Sequence, residues 1–273
     1  MSRLLFVAIL LAVMTGCAQT RYVLPPPPSE DQRAGFGAVG LTSARFTPEI
    51  SFRLPAKGAA EGAQRGAALG AAVPIYVGAH IPPAALVGLV LAPVGAVFGA
   101  MTGATEALPA EQVEKAEAVL KDALSPLHIQ TAMADATRDF MRREANIPVV
   151  VVKAREGLAE NDGAAFSAGT DRRVDTVLEL KISMLGLIGP WTIDPPLSFT
   201  MRIATRLVRV ADGTELHTQE LTYIGPAMLF TAWAANEAET FRKALDPAVR
   251  ALAEKAVEEV FLLYMPDVMG GAD

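Results

Sequence analysis

The sequence predicts an α+β protein: a small mixed or antiparallel sheet packed by helices, preceded by a hydrophobic helical hairpin. Three observations lead there. Residues 176–185 and 197–207 alternate apolar and polar positions with period two, as half-buried strands do. Two stretches, 109–145 and 246–263, repeat apolar residues at helical spacing. Between them and the amino end, glycine recurs at every fourth position over residues 58–105.

At the amino end, Arg3 precedes an uncharged apolar run from Leu4 to Val13. That run has the length of a secretion-signal core and is too short to span a bilayer. Met14-Thr15-Gly16-Cys17 follows it, and Cys17 is the only cysteine, so disulfides cannot hold the fold. The four residues resemble the bacterial lipoprotein signal, with Met14 where that pattern prefers Leu. The resemblance implies that residues 1–16 are a signal peptide. It also implies that Cys17 takes a diacylglyceryl group and an amine-linked acyl chain such as palmitate. Ala18, in place of Asp, implies sorting to the outer membrane of a Gram-negative bacterium, facing the periplasm. An ordinary secretory signal with an incidental thiol is the alternative.

Residues 17–57 read as a lipidated tether. Pro25 to Pro28 favour a polyproline II spacer, and Gly35, Gly37 and Gly40 follow with few large apolar residues. Within it, Ile50 to Leu54 alternates as a short edge strand would.

Residues 58–105 carry two glycine series: Gly58, Gly62, Gly66, Gly70, and Gly95, Gly99, Gly103. Fourfold spacing places each series on one helical face, where a second helix can approach closely. Glycine costs a water-exposed helix about 1 kcal/mol per site against Ala, so the repetition needs close packing or lipid to offset it. No Asp, Glu, Lys or Arg lies between Gly66 and Thr105, and Pro82-Pro83 divides the two arms. Residues 84–105 would form a helix of about 33 Å, with Pro93 kinking it. The segment resembles the glycine-zipper hairpins of several Gram-negative outer-membrane lipoproteins and surface antigens. Three roles follow: contact with the membrane through residues 84–105, packing between copies, or an internal core element.

From 106 to 266 the pattern is that of a globular α/β domain, with residues 267–273 as a flexible tail. Pro109 opens a helix with Val113, Ala116, Leu120 and Leu124 on one face. A second helix, about 127–145, presents Ile129, Met133, Ala136 and Phe140. Val149 to Val152 read as a strand buried on both sides. Residues 157–173 are a polar loop. Leu178, Leu180, Ile182 and Met184 point one way on the next strand, and Phe199, Met201, Ile203 and Leu207 on the one after the loop 185–196. Ala211-Asp212-Gly213-Thr214 signals a turn into a polar edge strand over 215–224. Asp246 and Pro247 signal the start of the last helix, whose stripe is Val249, Leu252, Ala256, Val260 and Leu263.

This order resembles the periplasmic domain shared by the curli-secretion lipoproteins, the amino-terminal domain of TolB and lipoprotein activators of peptidoglycan synthases. The residues that carry the resemblance are the valine strand 149–152, LELKIS at 178–183, TRLVRVADGTEL at 205–216, and the helix from Asp246. The loop 185–196 and the glycine hairpin depart from it.

No catalytic constellation stands out. His80, His128 and His217 have no metal-ligand spacing, and Ser167 is not in a GxSxG context. Asp135, Asp139, Glu144 and Asp162 read as a solvated helix face plus loop, and Glu254, Glu258 and Glu259 as the outer face of the last helix. No cofactor and no metal are expected. A net charge of −6 without a basic run argues against nucleic acid. Trp191 and Trp233, both expected in loops, either cap the core or form a partner surface. The expectation is a non-enzymatic envelope lipoprotein that binds or scaffolds an envelope protein, or its own copies. The alternative is an oligomeric secretion or pore component resembling the curli-secretion family.

Overall fold

Two long strands and their return form the centre of the molecule. The computed structural model describes residues 29, 35–43, 48–80, 85–124, 128–144, 147–152 and 174–262. The signal segment, Cys17, the proline run, the loop 157–173 and the tail 267–273 lie outside the described residues.

The elements run β1 (Val39–Ser43), β2 (Glu49–Phe52), α1 (Gly58–His80), α2 (Ala85–Glu106), α3 (Ala110–Leu124), α4 (Ile129–Arg143), β3 (Val149–Val151), β4 (Thr176–Ile188), β5 (Pro196–Arg209), β6 (Glu215–Leu229) and α5 (Phe230–Val257), closed by a π-helical turn at Glu258–Leu262. The fold is α+β with a mixed sheet in the order β3-β1-β4-β5-β6, and β2 beside β4. β1 pairs in parallel with β3 and β4, and β2 in parallel with β4. β4, β5 and β6 form an antiparallel meander.

The tether expectation fails for residues 39–52. Val39 and Leu41 are buried in an interior strand, and β2 extends the same edge of β4. Gly40 belongs to the packing: a methyl there would stand 2.7 Å from a Val152 methyl and 2.9 Å from one of Val174. The expected edge strand at 50–54 is β2 itself.

β1 and β2 leave a gap along β4 between Leu180 and Met184. Gln130, at the start of α4, fills it. Its amide donates to the Ile182 carbonyl at 3.2 Å and its oxygen accepts from the Ile182 amide at 3.0 Å. One side chain thus pairs the backbone where no strand does. A register shift at Ser183 also falls there. The inward face therefore passes from Leu178, Leu180 and Ile182 to Leu185 and Leu187, with Met184 only half-buried, not to Met184 as simple alternation implies.

α4 and α5 pack on the sheet and α3 packs on α5. Val113, Leu120, Met133, Met141, Phe241 and Leu252 share one hydrophobic core with the inward residues of β4 and β5. Burial of each large aliphatic side chain is worth about 1.5–3 kcal/mol. The opposite sheet face is left partly open, with Arg206 bridging Glu179 at 3.3 Å and Glu215 at 2.8 Å. Burial raises the Glu179 carboxyl above its ordinary range, and Arg206 opposes the shift.

Three further expectations change. β3 is an edge strand paired with β1, and its Val151 is half-exposed, not buried on both sides. β4 continues to Ile188, so the connection to β5 is only residues 189–195. Asp246 and Pro247 lie inside α5 and do not start it. The stripe extends upstream through Phe241 and Leu245, and the break falls at Ala235–Ala238. There Asn236, Glu237 and Ala238 are left-handed (φ 51°, 56° and 59°).

Candidate functional site: the root of the helical hairpin

The glycines set the hairpin geometry. α1 and α2 are antiparallel, and Gly62 faces Gly103, Gly66 faces Gly99, and Gly70 faces Gly95. A methyl on Gly66 would overlap the Gly99 carbonyl oxygen and stand 2.8 Å from its carbon, and the other pairs repeat this. Backbone therefore touches backbone. Gly58 is different: a methyl there would meet only Ala110, at 3.9 Å, and its φ of +75° is what calls for glycine.

This packing uses up the glycine faces and turns the large side chains outward. Leu91, Val94, Val97, Phe98 and Met101 of α2 are exposed, as are Val73 and Tyr76 of α1. Leu91, Val94, Phe98 and Met101 follow three- and four-residue spacing, so they form one stripe. Among the described residues, neither helix has an extended contact with another element beyond the root. The expectation of an internal core element is not met: the hairpin projects from the domain. Among the described residues, no helix is long and apolar enough to cross a membrane.

The charges gather at the root. Lys57 forms a bridge with Leu108, and the Gly58 amide donates to the Leu108 carbonyl at 2.8 Å, so both arms start from one point. Lys57 Nζ reaches Glu117 at 3.2 Å, which Lys121 also holds at 2.7 Å. The Lys121 contact, with help from Lys57, keeps the Glu117 carboxyl below its ordinary range against the effect of burial. Arg65 is the last charged residue before the uncharged arm, and its side chain is only 11% exposed. It pairs with Glu61 and donates to the carbonyls of Leu54 at 2.9 Å and Thr192 at 3.2 Å. Its guanidinium also lies over the Trp191 ring, 5.7 Å from the centroid.

The two tryptophans separate. Trp191 is 47% exposed, in the loop between β4 and β5 beside the root. Trp233 is buried, and its indole donates to the Leu197 carbonyl at 2.8 Å. It packs with Phe199 and Phe241 and is no partner surface. In the same loop as Trp191, Asp194 has a buried carboxylate oxygen with no hydrogen-bond partner among the described residues, and burial raises its pKa.

The remaining candidates stay apart. His128 sits before α4, His217 is buried on β6 with Nε2 3.3 Å from the Gln219 oxygen, and only the backbone of His80 is described. Among the described residues, no group of three or more His, Cys, Asp or Glu could hold a metal ion. Asp135 and Asp139 flank Arg138 on α4, at 3.0 and 3.6 Å. Glu259 is not on an outer face: it accepts from Gln219 and pairs with Lys255 at 3.6 Å. Sequence reasoning missed Arg65. Its one signal was position, as the last charge before a long uncharged run.

No family model matches the chain, and no curated protein matches it. Among the solved structures that are similar in part are two from Gram-negative bacteria. Protein XCC0632 from Xanthomonas campestris is 13% identical, with a TM-score of 0.28, over 45% of this chain and 58% of its own. Lipoprotein GNA1162 from Neisseria meningitidis is 12% identical, with a TM-score of 0.21, over 81% of this chain and 99% of its own. Superpositions of this extent establish neither a shared fold nor a shared role.

Proposed function

We propose that this chain is a non-enzymatic envelope lipoprotein, anchored through Cys17 at the outer membrane. Its helical hairpin inserts into the bilayer as a second contact, and its α/β domain holds a protein partner in the periplasm. The observation that carries the reading is the hairpin's polarity. Lys57, Glu61, Arg65 and Glu106 lie at the root, the arm beyond is uncharged, and its large side chains face outward. In water such a surface is unfavourable; in lipid it is not. The glycine-zipper reading fits, since close backbone packing is how helices associate where lipid removes the hydrophobic drive. From the level of Gly66 and Gly99 to the end of α1 the arm is about 21 Å, short of the roughly 30 Å hydrocarbon core. The hairpin therefore enters and returns through one leaflet side.

The second reading is self-association, as in a secretion or pore component. The stripe Leu91, Val94, Phe98 and Met101 supports it, because that spacing also suits helix-to-helix packing.

The test uses the mature chain from position 17 with Cys17→Ser, which carries neither the apolar signal nor a lipid, mixed with phospholipid vesicles and floated on a gradient. The chain should float, and Phe98→Asp should stay at the bottom while keeping its circular dichroism. A Cys17→Ser chain that remains with the soluble fraction refutes membrane insertion. A discrete large ring on sizing would favour the second reading.

A further inference from the structure

Where the hairpin meets the domain, three features meet around the Arg65 side chain. Arg65 is the last charge of α1, and from Gly66 outward the arm is uncharged. The loop after β4 is fastened to the root: Arg65 donates to Thr192, and the Ala56 amide donates to the Ile193 carbonyl at 2.7 Å. Trp191 sits in this loop with its ring half-exposed and the guanidinium over it. Behind the loop, the Trp233–Phe199–Phe241 cluster holds the start of β5 rigid through the Leu197 carbonyl. Trp191 is thus presented on a fixed support, beside a polarity boundary.

Indole is enriched where hydrocarbon meets headgroups, because its ring is apolar and its N–H is polar. Arginine at such a boundary keeps its stem in apolar surroundings and its head among polar ones. We infer that Trp191, with the loop 189–195, is a headgroup-level docking surface that stops the hairpin at a set depth and seats the α/β domain on the phospholipid surface. The occupant is the bilayer itself, since the surface is continuous with the uncharged arm. The inference rests on the insertion of the hairpin, so its test must separate the two.

Two probes do so in the Cys17→Ser chain with phospholipid vesicles. The first is a fluorophore on Phe98→Cys, which reports whether the arm is in lipid. The second is tryptophan emission with lipids brominated either near the headgroup or near the chain end, and Trp191→Phe leaves buried Trp233 as the background. The expected result is a lipid-embedded signal at position 98. The Trp191 emission should shift to the blue and be quenched more by the shallow bromines. Trp191→Phe should lose this quenchable component, and Trp191→Ala should lower vesicle partitioning several-fold. If position 98 is embedded but Trp191 stays open to aqueous iodide and unaffected by the bromines, the docking surface is wrong and insertion stands. If position 98 stays in water, both fall. If Trp191 is shielded only as the chain dimerises without vesicles, a second copy is the occupant and the inference is overturned.

Discussion

The α/β domain and the helical hairpin solve the packing problem in opposite ways. In the domain, Phe199, Phe241, Leu120 and Met133 are wholly buried and polar residues face out. In the hairpin, glycine backbones meet at the centre, and Phe98 is 67% and Met101 64% exposed. The first arrangement is stable in water because it removes apolar area. The second removes little, so its stability in water must come from close backbone packing and the charged root. The two regions are built for different solvents.

The comparison breaks most sharply on matched phenylalanines. Phe199→Ala should destabilise the domain by about 3–5 kcal/mol, whereas Phe98→Ala should change it by less than about 0.5 kcal/mol. Denaturant unfolding of the unlipidated chain measures both, and a large Phe98 effect would mean the stripe is covered by the protein itself. Next is Gly66→Leu. It should force the helices apart, at a cost of about 1–3 kcal/mol confined to the hairpin, with the domain transition unmoved. Spin labels on the two arms would report the widening.

Gln130→Ala sharpens the domain side. It leaves both Ile182 backbone groups without their partner and should cost about 1–3 kcal/mol. Amide exchange at Ile182 should quicken ahead of its neighbours. The smallest effect is expected at Asp194. Its folded pKa is raised by burial, so the folded state binds the proton more tightly than the unfolded chain. Folding is therefore weakened above the raised pKa and gains as pH falls through it toward the unfolded value of about 3.9. Asp194→Asn should raise Tm at about pH 7 and leave it unchanged near pH 4. A loss of Tm at neutral pH would assign the carboxylate a partner.

Elements with strong local period were legible in the sequence: α3, α4, β4, β5 and the turn at Asp212-Gly213 all follow from it. β1 was not, because Val39 to Ser43 is short, glycine-containing and held only by distant parallel partners. The start of α5 was misjudged for a related reason. Asp246-Pro247 is a good local cap, but Phe241 and Leu245 are buried against the sheet, and tertiary packing extends the helix past it. At the root, only the place of Arg65, as the last charge before the uncharged run, could be seen. That Arg65 would reach Thr192 and Trp191, more than a hundred residues on, depends on where the sheet places the loop.

The three glycine pairs advance by four residues in each arm. The hairpin is therefore graduated. Removing four residues from one arm and the facing four from the other, such as 67–70 with 95–98, shortens it by about 6 Å and leaves the remaining pairs in register. An insertion of the same size lengthens it by one step. Because both arms return to the Lys57–Leu108 bridge, the domain is insensitive to the count. Reach can thus be adjusted in whole steps, as on a ruler, without renegotiating the fold below.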